Sequence, residues 1–270
     1  MTKLFSILLI IFGLIIIFVS IFFAEAQNTH SIDFEGDNNQ AVSLGDDVSF
    51  LQPLDSPWTI MAWIRLESYH GADRQMIYFD SETGAGEDSF INMMVRGSNR
   101  RFGCDIRDNT GSQGTADSED GMIDPERWYH VVCQRDGSTM RAFVNGRLAG
   151  SGTGAGGNIN AGNATILPCI GGVSTASGCA TGTAEVFDGR IDEVSFWRRA
   201  LSEAEIQQRM RQELNAAAST TAVVGLEAYW KFDNSITDSV GRSATILETL
   251  VGTPAFHTDS GWKQFIQNEF

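Results

Sequence analysis

The sequence predicts an all-β protein, an antiparallel sandwich of two sheets, with a hydrophobic N-terminal helix and one short helix in the C-terminal half. Three observations carry this expectation. Arg127 to Gly150, RWYHVVCQRDGSTMRAFVNGRLAG, reads as strands joined by a tight Asp136-Gly137 turn and a second turn at Asn145-Gly146. From His30 onwards, short apolar runs recur between spacers rich in Gly, Asp, Asn and Ser, the spacing of a sandwich or barrel. The 28 glycines and five prolines suit a chain of many tight turns. A length of 270 residues is enough for one large all-β domain.

The first element is Leu4 to Phe23, an uncharged run preceded by Lys3 and followed by Ala24-Glu25-Ala26. The small-x-small triplet has the form of a signal-peptidase site. The run itself, about 20 residues, is long enough to span about 30 Å of hydrocarbon. Residues 1–26 therefore read as a signal peptide or a transmembrane signal anchor, and both remain open. Lys3 on one flank and acidic residues on the other place the N-terminus inside and the domain outside. Residues 27–270 form one domain, secreted or membrane-anchored, with the membrane a partner only if the segment is uncleaved.

The expected strands are 31–34, 41–44, 58–66, 75–80, 90–96, 101–108, 128–135, 139–144, 147–150, 165–171 and 186–197. WTIMAWIRL, Trp58 to Leu66, alternates with apolar residues on both faces, which predicts a central strand covered on both sides. Ser202-Glu203-Ala204-Glu205 is a capping box, and Ile206, Met210 and Leu214 follow at helical spacing, so a helix is expected to end near Ala217. GLEAYWKFDNSITDSVGRSATI reads as strand, turn and strand within the same domain.

The balance of 19 basic to 34 acidic residues gives a formal charge of −15, which argues against a nucleic-acid or anionic-lipid surface and is compatible with cation binding. Four cysteines in an exported chain predict two disulfides, with three pairings available. Cys104 and Cys133 lie in successive strand-like runs, which tend to be neighbours. That leaves Cys169 and Cys179 around a short loop. No C-x-x-C is present, and no His sits at ligand spacing to a Cys, which argues against zinc.

Three segments, RWYHVVCQRDGSTMRAFVNGRLAG, FDGRIDEVSFWRRALSEAEI (Phe187 to Ile206) and GLEAYWKFDNSITDSVG, resemble the LamG-like jellyroll family in content and order. IDFEGDNNQAVSLG looks like the family's first strand pair and WTIMAWIRL like its next core strand. The resemblance covers Ser31 to about Thr245. It implies a concanavalin A-like jellyroll related to laminin G and pentraxin domains. That group includes enzymes, lectins and adhesion modules, so the fold alone does not fix function.

The resemblance also implies where calcium would sit, as a possible cofactor. Pentraxins hold it with an acidic pair before a strand, the place of Glu87-Asp88 here, and with carboxylates of a later loop, which offers only Glu185. Relatives with this fold carry a structural calcium at the convex edge, which would use Asp192 and backbone carbonyls near Gly36. The bland alternative is that Asp188 and Asp192 fix turns and ladder ends.

Glucanases of the group place carboxylates on alternate positions of one strand. Asp192 and Glu193 are adjacent and would face opposite sides of a regular strand, which argues against a glycoside hydrolase. Tyr69 and His70 in the SYHGAD loop could stack on a sugar. Gly152-x-Gly154-x-x-Gly157 matches a dinucleotide fingerprint in form, but no helix follows, so it reads as a flexible hairpin loop. Asn163-Ala164-Thr165 is a glycosylation sequon. The sequence thus predicts a non-catalytic extracytoplasmic binding module. It would recognise a glycan or a surface protein through rim loops, with Tyr69, His70, Glu87 and Asp88 as ligand-binding candidates and Asp88, Glu185 and Asp192 as metal candidates. A structural component of a surface layer, appendage or viral envelope is the competing class.

Overall fold

A computed structural model describes residues 29–36, 40–44, 57–69, 74–81, 89–157, 168–175, 178–180, 185–214, 223–240 and 249–261. The leader or anchor over 1–26, His70, Glu87, Asp88 and the Asn163 sequon lie outside the described residues.

The strands are β1 (Ser31–Phe34), β2 (Ala41–Ser43), β3 (Trp58–Leu66), β4 (Gln75–Ser81), β5 (Phe90–Arg96), β6 (Arg101–Arg107), β7 (Gln113–Asp117), β8 (Trp128–Asp136), β9 (Thr139–Val144), β10 (Arg147–Thr153), β11 (Cys169–Ile170), β12 (Val173–Thr175), β13 (Gly178–Ala180), β14 (Gly189–Trp197), β15 (Leu226–Trp230), β16 (Thr249–Val251) and β17 (Ala255–His257). One helix, α1 (Glu203–Met210), follows β14. The first sheet runs β10-β9-β8-β3-β14-β1-β17, with β15 also on β14; the second runs β16-β2-β11-β4-β5-β6-β7. A small third sheet is the β12-β13 hairpin. All pairings within the two large sheets are antiparallel. β3 lies between β8 and β14 and is buried along almost its whole length, the central position its two-faced pattern predicts.

The main core lies between the sheets. Ile60, Ala62 and Ile64 of β3 and Val131 and Cys133 of β8 meet Ile91, Met93 and Val95 of β5 and Phe102, Cys104 and Ile106 of β6. Trp58, Trp230, Phe34, Phe187 and Phe232 fill the remaining volume. A second cluster covers the outer side of the first sheet: Met61, Val132, Phe143, Trp197 and Tyr229 pack under Leu201, Ile206 and Leu214. Ser202 caps α1 as its sequence predicts, with Glu205 N donating to Ser202 Oγ at 3.3 Å and Ser202 N to Glu205 Oε2 at 2.8 Å. The helix stops at Met210, short of the expected Ala217, and Leu214 is buried beyond it. Arg199 lies over the Trp197 ring at 5.6 Å and pairs with Glu205 at 2.7 Å, so it braces the strand-to-helix corner.

Both disulfides pair as expected, Cys104–Cys133 and Cys169–Cys179. The reason for the first is different. β6 and β8 belong to different sheets, and the bridge crosses the core between them rather than linking neighbours in one sheet. The second ties β11 to β13 and so holds the β12-β13 hairpin against the second sheet.

Two local expectations change. The first hairpin turns at Gly137-Ser138, since Asp136 still pairs with Thr139; Gly137 takes φ 60°, the first central position of a II′ turn. The second turns at Asn145-Gly146 with φ 49° and 74°, a I′ turn. The glycine run after it is no flexible loop. Gly150 and Gly152 lie in β10, with Gly154 just beyond, and a Cβ on any of the three would meet a carbonyl oxygen of Asp117, Thr115 or Gln113 at 1.9, 1.8 or 2.0 Å. Alternate glycines let the edges of the two sheets close backbone against backbone along β7 and β10.

Candidate functional site

Asp192 and Glu193 do not face opposite sides, as the regular-strand reading requires. β14 bulges between Asp192 and Ser195 relative to β3, and Glu193 takes φ 53°. The extra residue lets β1 pair with residues 189–191 and β15 with residues 194–197 on the same edge. It also turns Glu193 toward Tyr229, whose hydroxyl donates to Glu193 Oε2 in the second cluster. Burial, and then the Glu193 carboxylate, hold that hydroxyl well above its ordinary pKa. Asp192, fully buried, accepts from Gly261 N at 3.2 Å. Both carboxylates are therefore buried and bonded, not poised on either side of an open cleft as glycoside hydrolysis requires.

The remaining sequence candidates are dispersed. Tyr69 is half-buried against the main core, and its hydroxyl donates to the Ile123 carbonyl. Glu185 pairs with Arg74 at 3.5 Å. At Gly36 the partner is Asp188, which accepts from Gly36 N at 3.0 Å, and not Asp192.

Among the described residues, one group of carboxylates lies close enough to share a cation. Asp33 at the end of β1, Glu35 just after it and Glu67 just after β3 bring carboxylate oxygens within 4.8 Å of one another. Asp33 is 5% exposed, and its Oδ1 has no hydrogen-bond partner. Its Oδ2 faces His257 Nε2 at 2.9 Å and Arg190 at 3.8 Å. Arg190 also reaches Glu67 at 3.6 Å. Burial raises the pKa of Asp33 despite Arg190 and His257; burial and the Asp33 charge raise that of Glu67. Burial thus disfavours the charged form of these carboxyls, and Asp33 Oδ1 is an orphaned buried oxygen beside them. The donor set fits calcium, a hard cation that takes oxygen ligands.

The second sheet offers a different surface. Ile91, Met93 and Val95 face the core, so Phe90, Asn92, Met94 and Arg96 face away from it. By register, Phe79 of β4 and Asp105 of β6 flank Asn92, Thr115 of β7 follows Asp105, and Arg107 lies across from Phe90. Phe79, Phe90 and Arg107 are half-buried, Thr115 and Gln113 exposed. Arg96 binds both oxygens of Asp105 at 2.8 Å and reaches Asp117 at 3.1 Å. Asn92 is 2% exposed, and its Oδ1 has no hydrogen-bond partner; neither has Nε of Arg107. The alternation of FINMMVR and RFGCDIR carries this face in the sequence, but only their pairing brings Asn92 and Arg107 together.

Two stacked antiparallel sheets, with a helix on the back of one and a polar-aromatic face on the other, define a jellyroll-type β-sandwich. The chain belongs to the concanavalin A-like lectin/glucanases superfamily, whose family model matches residues 36–207. Solved structures agree on the fold. A Bacteroides ovatus protein proposed to bind carbohydrate is 20% identical with a TM-score of 0.59; the match covers 86% of this chain and 60% of that one. A heptameric SAP-like pentraxin from Limulus polyphemus is 16% identical with a TM-score of 0.54, covering 87% of this chain and 97% of that one. The CBM40 of a Ruminococcus gnavus sialidase, bound to sialyllactose, is 16% identical with a TM-score of 0.51, covering 66% of this chain and 94% of that one. No curated protein matches the chain by sequence.

Proposed function

We propose that the chain is a non-catalytic binding module, carried outside the cytoplasm, that recognises a glycan on the outer face of its second sheet within the rim loops. The observation that carries this is the pair of unpartnered polar atoms, Asn92 Oδ1 and Arg107 Nε, set on one face beside Phe79 and Phe90. Aromatic surface with a few convergent polar groups is how ligand sites combine contact area with orientation. Membership of a superfamily of lectins and glucanases and the sugar-bound CBM40 of like fold support the choice of glycan over a protein surface. Two disulfides fit an oxidising, extracytoplasmic setting. Calcium is proposed as a structural partner held by Asp33, Glu35 and Glu67, with Asp33 Oδ1 the oxygen that has no other partner.

A glycan array read with and without calcium tests the function. Binding to a defined set of glycans, lost in an Asn92→Ala variant that melts like the parent, is the expected outcome. Failure to bind any glycan in either condition sinks the reading and leaves the surface-layer or envelope role standing.

A further inference from the structure

We infer that the glycan carries an anionic group, a carboxylate or a sulfate, and that Arg107 recognises it; this rests on the glycan reading above. The strand positions of the face include three arginines and two aspartates. Arg96 is taken by Asp105 and Asp117, and Arg101 by Asp117 at 3.7 Å and by Asp120 beyond the strand. Arg107 is left over: it has no ion pair or hydrogen bond among the described residues, and its Nε is buried. Among the three arginines at strand positions of this face, Arg107 is the one without a carboxylate partner. A half-buried guanidinium with an unmet Nε–H has lost water without gaining a protein acceptor, and an anion from outside would supply one.

The neighbour of Arg107 on this face complements it. Asn92, on the adjacent strand two positions from Phe90, the cross-strand partner of Arg107, is almost fully buried, with an unmet acceptor at Oδ1. An acceptor cannot serve an anion, but it suits a sugar hydroxyl. A ligand that carries both an acidic group and a hydroxyl, as an acidic or sulfated sugar does, would answer both atoms. The planar guanidinium fork matches either oxyanion in two parallel hydrogen bonds.

Isothermal titration against matched saccharides tests this: lactose with its sialylated and sulfated derivatives, and galactotriose with trigalacturonate. The expected result is binding to at least one charged member with a neutral counterpart at least ten-fold weaker. Arg107→Gln should lose that ten-fold and bind charged and neutral members alike, while its melting temperature stays within a degree or two of the parent. Added salt should weaken the charged member and leave the neutral one unchanged. The sialylated and sulfated arms separate carboxylate from sulfate. Equal binding of neutral and charged members, or unchanged selectivity in Arg107→Gln, overturns the inference and leaves the glycan reading intact. No binding to any saccharide, there or on the array, overturns both.

Discussion

Two buried side chains set opposing pH dependences. Asp80 faces the core at the end of β4, fully buried, with Oδ1 unpartnered and only a long 3.5 Å approach from the Tyr78 hydroxyl. Burial, offset only in part by that hydroxyl, pushes its carboxyl up from 3.8 to about 7. The folded state therefore holds the proton more tightly than the unfolded chain. This favours folding below pH 3.8 and is lost as pH rises through about 7, by on the order of 4 kcal/mol. His130 runs the other way. It sits against Trp63 at 5.3 Å on the outer side of the first sheet, its Nδ1 has no hydrogen-bond partner, and burial pushes its pKa down to about 3. Its neutral form is what the fold accepts, so its contribution is complete above 6.5 and is lost as pH falls toward 3. Asp80→Asn is expected to stabilise the domain by a few kcal/mol at pH 8 and hardly at all at pH 3.5, since it replaces a carboxylate that must be buried charged. Melting curves of the parent and variant across that range check this; an equal shift at both ends would mean that folding does not raise the Asp80 pKa.

At the scale of elements, the β7–β10 seam and the cross-sheet bridge make distinct predictions. Gly152→Ala places a Cβ 1.8 Å from the Thr115 carbonyl oxygen, a backbone atom that cannot rotate away. Overpacking within a core costs about 1–3 kcal/mol, so a collision with backbone should exceed about 3 kcal/mol. Ser151→Ala, one residue away and exposed, should be close to neutral. Denaturant unfolding of both variants decides it, and a Gly152→Ala protein as stable as the parent would mean the seam opens. Cys133→Ser removes the tie between the sheets, closing 29 residues of chain, and should cost about 2–5 kcal/mol under oxidising conditions. Cys179→Ser frees only the β12-β13 hairpin and should cost less.

These elements also show what the sequence could and could not reveal. Strands with strict alternation and hairpins with glycine turns were legible, because each signal is local. β7, QGTAD, was not: it buries only Ala116 and a glycine against the core, and its strand character comes from pairing with β6 and from the close approach of β10's glycines. The Glu193 bulge was not legible either, because nothing in Asp-Glu marks a left-handed residue; the bulge is imposed by β1 and β15 meeting on one edge of β14. The candidate site divides in the same way. Asp33 and Glu35 alternate visibly, yet Glu67 joins them only through the sheet, and the sequence pointed to Asp192 instead.

Over the whole molecule, the Asp33 cluster joins parts of the chain that are far apart. Asp33 comes from the first strand of the domain, Glu35 from the residue after it, and Glu67 from the residue after the central strand β3. Arg190 of β14 and His257 of β17 pack against them. A calcium ion here would bind only when β1, β3 and β14 are assembled, so its binding free energy adds to global stability. At 100 times Kd the gain is about 2.7 kcal/mol, or about 5–10 °C in Tm for a domain of this size. Calcium must also compete with protons, since the Asp33 and Glu67 pKa values are raised. The stabilisation should therefore shrink as pH falls into the carboxylate range. The expected outcome is a Tm that rises with millimolar calcium and falls back with EDTA, and an Asp33→Asn variant that no longer responds. Asp33→Asn should lie near the calcium-free parent, because the neutral amide relieves the crowding of carboxylates that calcium would otherwise relieve. A parent whose melting is indifferent to both calcium and EDTA at pH 7.5 would remove calcium from this site and leave Arg190, Arg65 and His257 as its counter-charges among the described residues.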